Sequence, residues 1–123
     1  MPNPNVPSFP VCKRLAKVWQ PAEVDYAYNA DGELRHQSQS VIRFISPVGT
    51  GYYVPAPTCA EMLAEIQRRS WGISLHRTCG NGYWTCYVNY RVGQKAVAQN
   101  GQSPTEALAL ALAEALENEG ART

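Results

Sequence analysis

The sequence predicts an α+β domain, an antiparallel sheet with helices packed on it, and three features carry that prediction. Two helix starts, Thr58 with Glu61 and Ser103-Pro104-Thr105-Glu106, bracket most of the second half of the chain. Between them the apolar period shortens to two over residues 73–77, 83–90 and 95–99, which gives the order helix, strand, strand, strand, helix. Ahead of them, Asp31-Gly32 separates two alternating segments and predicts an N-terminal β-hairpin.

Residues 1–10 hold four prolines and read as an extended arm, followed by a single domain over residues 11–120. In residues 12–19, Leu15, Val18 and Trp19 have helical spacing, and Gln20-Pro21 is a stop. Val24, Tyr26 and Tyr28 alternate as in a half-buried strand over residues 23–29. The Asp-Gly turn leads to a second strand within residues 34–46, apolar at 41–45. Tyr52-Tyr53-Val54 forms a short segment that Pro55 and Pro57 close.

Thr58 and Glu61 make a capping box ahead of Cys59, Met62, Leu63 and Ile66, so a helix is expected to about Ser70, with Gly72 releasing the chain. In the strand over 83–90, Trp84, Cys86, Val88 and Tyr90 share one face, and Tyr83, Thr85, Tyr87 and Asn89 the other. Asn100-Gly101 ends the last strand. Ser103 then caps a long helix whose stripe is Leu108, Ala111, Leu112, Ala115 and Leu116, with Gly120 as its end.

A chain of 123 residues with 45% hydrophobic and 17% charged residues has enough apolar side chain for one core. Its formal charge of +1 creates no global field toward nucleic acid or an anionic membrane. With neither a signal-peptide pattern nor a long apolar run, a cytoplasmic protein without membrane contact is expected. The four cysteines, Cys12, Cys59, Cys79 and Cys86, allow three disulfide connectivities but read as free thiols, because the chain has a core without them. No C-x-x-C pair is present, and His36 and His76 form no spaced pair, so no metal or other cofactor is expected.

The helix, strand, strand, strand, helix order is that of the double-stranded RNA-binding domain, and Gly101 to Ala107 resembles its last strand-to-helix junction. That family grips phosphate there with lysines. This chain has Ser103, Thr105 and Glu106 instead, so the mechanism is missing and nucleic acid is not the expected partner. Pro104-Thr105-Glu106-Ala107-Leu108 is also similar to the helix start of HicB-type antitoxins. Val54-Pro55-Ala56-Pro57-Thr58, the Met62-Leu63 helix, the Trp84-centred strands and Ser103 to Leu108 together resemble small phage and prophage proteins of the phage ABA sandwich kind over about residues 54–118. This last resemblance implies a mobile-element protein in a bacterial host that acts by binding, for example an anti-defence protein sequestering a nucleotide-derived signal.

Two histidines and scattered carboxylates give no nucleophile with an adjacent base, so no enzyme is expected. The candidate site is the outward face of the central strands. Tyr83, Tyr87 and His76 offer ring surfaces there, beside Ser74, Thr85 and Asn89, while Arg77, Arg91 and Lys95 lie near strand ends. Arg68, which with Arg69 complements a helix dipole, is a further candidate. The expected partner is a small anionic, nucleotide-like ligand. The competing expectation is that the N-terminal strands cover this face. Seven tyrosines and three tryptophans favour a homo-oligomer. Inhibition of a host defence effector, or weak nucleic-acid binding, is the alternative function.

Overall fold

Thr58 and Ser103 both begin helices, as their spacing to Glu61 and Glu106 predicts. The computed structural model describes residues 6–19, 24–29, 31–36, 54–77, 82–89 and 96–121. Its elements are α1 (Phe9–Ala16), β1 (Tyr26–Tyr28), β2 (Leu34–His36), β3 (Val54–Pro55), α2 (Cys59–Arg68), β4 (Gly72–Arg77), β5 (Trp84–Asn89), β6 (Val97–Gly101) and α3 (Pro104–Ala121). The class is α+β, and the second half follows the expected helix, strand, strand, strand, helix order. Two antiparallel sheets form, ordered β2-β1-β3 and β4-β5-β6.

The core lies between the β4-β5-β6 sheet and its helices. Alternation turns Ile73, Leu75, Trp84, Cys86, Val88 and Val97 inward against Met62, Ile66 and the stripe of α3. Leu108 and Leu112 are fully buried, and each contributes roughly 1.5–3 kcal/mol by leaving water. Ala107, Ala109, Ala111, Ala113 and Ala115 are equally inaccessible, because α3 packs against the sheet, α1 and α2 together. Alanine makes this possible, since small side chains let neighbouring backbones approach. The closest approach is at Gly101, where a Cβ would stand 2.5 Å from the Ala107 backbone nitrogen.

α2 carries both halves of the expected capping box. Its end differs from expectation, because the left-handed residue is Ser70, at φ 58°, and Gly72 already belongs to β4. The Trp71 and Ser70 N–H groups donate to the Ile66 and Gln67 carbonyls, which closes the helix as a Schellman motif. α3 runs through Gly120 to Ala121 instead of ending there. A glycine costs a helix about 1 kcal/mol, which lowers stability without forcing a stop. β6 begins two residues later than expected and includes Asn100 and Gly101.

The N-terminal part departs furthest from its expectation. α1 begins at Phe9, inside the predicted arm, with Pro10 in the first turn, where no backbone donor is needed. Pro7 is fully buried, and its carbonyl accepts from the Tyr28 hydroxyl at 2.7 Å and the Cys12 thiol at 3.5 Å. The hairpin forms as expected: Asn29 Oδ1 accepts from the Asp31 and Glu33 N–H groups, and Gly32 takes φ 83°. Pro55, expected to close a segment, pairs with Ala27 in the edge strand β3. The predicted apolar strand at 41–45, and Tyr52 and Tyr53, lie outside the described residues. α1 docks on α3 through a two-bond pair from Arg14 to Glu117, at 2.9 and 2.7 Å.

Candidate functional site

Register decides which side chains share the outer face of the β4-β5-β6 sheet. Ser74, Tyr87 and Ala98 stand in one row, and His76, Thr85 and Asn100 in the next. The His76 and Tyr87 rings stack with centroids 5.5 Å apart and planes 28° from parallel. Beside them, the Thr85 hydroxyl donates to Asn100 Oδ1 at 2.8 Å. Tyr87 keeps 36% of its surface exposed, so the N-terminal strands described here do not bury it, and the competing expectation of a covered face does not hold at this residue.

The other predicted site residues are distributed differently. Tyr83, 45% exposed, precedes β5 and lines a cleft beside the N-terminal hairpin. Arg77 pairs with Trp84 and by alternation belongs to the inner side of the sheet, at its rim. Arg68 lies at the end of α2 in the helical layer, where Nε and Nη2 reach the two oxygens of Glu65 at 3.0 and 2.7 Å. It is therefore an ion-pair partner on the other side of the sheet from Tyr87. Arg69 also reaches Glu65, at 2.6 Å, and lies over the Trp71 ring. Arg91 and Lys95 lie outside the described residues.

The cleft that receives Tyr83 has a volume of about 1100 Å³, and the sequence reading missed it. Tyr28 and Leu34 of the hairpin form one wall, and Asn100, Gln102 and Ser103 of the β6–α3 junction form another. Ser8 and Glu106 also line it. The Glu106 carboxylate accepts from the Ser8 N–H and the Ser8 hydroxyl, each at 2.8 Å, while its own N–H donates to Ser103 Oγ at 3.1 Å. A capping role was legible for Glu106. Its link to Ser8 was not, because 98 positions separate the two residues.

The electrostatics disfavour thiol chemistry. Burial pushes the Cys86 thiol up to about 12, with Cys59 adding to the shift, and burial also raises Cys59. Cys12 is driven up further by burial and then by Glu106. All three are free thiols, and a thiol that stays protonated is a poor nucleophile. Tyr28 is pushed up to about 12 by burial first and then by Cys12 and Glu106. Among the described residues, no group of three or more His, Cys, Asp or Glu side chains is placed to hold a metal ion, and no helix is long and apolar enough to cross a membrane.

Comparison with protein-family models, with curated proteins and with solved structures found no match to this chain.

Proposed function

We propose that this protein acts by binding, without chemistry of its own, and that the outer face of β4-β5-β6 holds a small planar anion of the nucleotide kind. The stacked His76–Tyr87 pair carries this reading. Two rings aligned on an open sheet form a platform onto which a base can stack, an interaction worth roughly 1–3 kcal/mol per base. Ser74, Thr85 and Asn100 flank the platform with groups that both donate and accept, suited to the edge of a base or a ribose. His76 supplies a donor toward phosphate. In a phage-encoded protein of the kind the sequence resembles, such a site would withdraw a nucleotide-derived signal from a host defence system.

The test is to incubate the purified protein with a nucleotide-rich bacterial extract, remove free small molecules by filtration, denature the protein and identify what is released by mass spectrometry. A near-stoichiometric nucleotide is expected from the wild type and from Leu63→Ala, a change in the exposed part of α2. None is expected from Tyr87→Ala. An empty release, or one that Tyr87→Ala leaves unchanged, would remove the reading and favour a protein partner for the aromatic face.

A further inference from the structure

The cleft between the N-terminal hairpin and the β6–α3 junction adjoins the His76–Tyr87 face through Asn100, and its chemistry differs. We propose that it is a binding site for a neutral, hydroxyl-rich small molecule of the saccharide class.

Charge excludes the alternatives in turn. No lysine, arginine or histidine is among its described lining residues, so a phosphate or carboxylate there would meet no cation among them. The one carboxylate among the described lining residues, Glu106, sits in the first turn of α3, and both its oxygens already accept from Ser8, so it is engaged in holding the N-terminal segment. A cationic ligand would have to compete with Ser8 for it. What remains is a surface of neutral groups that donate and accept at once, which is what a ligand made of hydroxyls requires. Gln102 is exposed among them. Asn100 uses Oδ1 to accept from Thr85, which leaves its amide N–H groups to donate.

Apolar surface completes the match. A pyranose has C–H faces as well as hydroxyl edges, and the Tyr28 and Tyr83 rings with Leu34 offer apolar surface beside the polar groups. At about 1100 Å³ the cleft has room for more than one sugar ring. Hydrolysis is not part of the proposal. Cleaving a glycosidic bond ordinarily takes two carboxylates across it, and Glu106 is the only one among the described lining residues.

The experiment is saturation-transfer NMR on the full chain with methyl β-D-glucoside, N-acetylglucosamine and maltose, with agmatine as a charged control. At least one sugar is expected to bind saturably in the millimolar range, with an affinity that does not change between 20 mM and 500 mM salt. Tyr83→Ala and Gln102→Ala, both at exposed positions that leave the core intact, should each weaken it at least five-fold, and Leu63→Ala should not. Absence of saturable transfer to all three sugars would overturn the proposal, as would binding that survives both cleft variants. Tighter binding of agmatine than of any sugar would overturn it too, because it would show that the cleft favours a cation.

Discussion

At Gly101 the side chain is excluded by backbone. An added Cβ would lie 2.5 Å from the Ala107 nitrogen and 2.9 Å from its Cα, and neither atom can move without shifting the first turn of α3. Gly101→Ala should therefore cost on the order of 3 kcal/mol, at the upper end of ordinary overpacking. Gly72 is the control, because its added Cβ would meet only the Asn89 side chain, at 3.5 Å, which is ordinary contact. Urea unfolding of the two alanine variants checks the pair, and equal midpoints would mean that α3 can back away from β6. Neither glycine was readable this way in the sequence. Asn100-Gly101 looks like a turn, and only the packing of Ala107 shows that the glycine is required for space instead.

At the scale of elements, the ends of helices separate what local sequence determines from what it does not. Thr58 with Glu61 and Ser103 with Pro104 were legible, because a cap is made by residues within one turn of each other. The end of α2 is not made by the glycine its sequence offers: the Schellman closure is made by Ser70, exposed and at φ 58°. An L-residue in that conformation costs roughly 1–2 kcal/mol, and glycine escapes the cost but loses more entropy on folding. Ser70→Gly should therefore stabilise the protein by about 0.5–1 kcal/mol, read as a higher urea midpoint with an unchanged slope. A lower midpoint would show that Ser70 gains something from its side chain that offsets the strain. The same distinction explains the site. Alternation along β4 and β5 placed His76 and Tyr87 on one face from sequence alone, whereas the cleft needs Ser8, Tyr28, Tyr83 and Glu106 together, and only tertiary packing brings them there.

In the whole molecule, ion pairs support helices at two places, within the last turn of α2 and between α1 and α3, and both respond to acid in the same sense. Hydrogen bonds from Arg68, then the further bonds and charge of Arg69 and Arg68, hold the Glu65 carboxyl below its ordinary range, although its burial opposes this. Hydrogen bonding to Arg14 does the same for Glu117, which joins α1 to α3. A carboxyl whose pKa is depressed on folding contributes stability that is fully present above its unfolded pKa of about 4.3 and is lost as pH falls through the folded value. Melting temperature should then be flat from pH 8 to about 5 and decline below. Glu65 should dominate, since only 10% of its side chain is exposed and two arginines reach it, Arg69 at 28% exposed beside a solvent-screened Arg68 at 67%, whereas Arg14 and Glu117 each keep 37% exposed. Glu65→Gln should melt below the wild type at pH 7, and the gap should narrow by pH 3, where the wild-type carboxylate is protonated as well. A gap of the same size at both pH values would mean that Glu65 acts through packing in α2 and not through its charge.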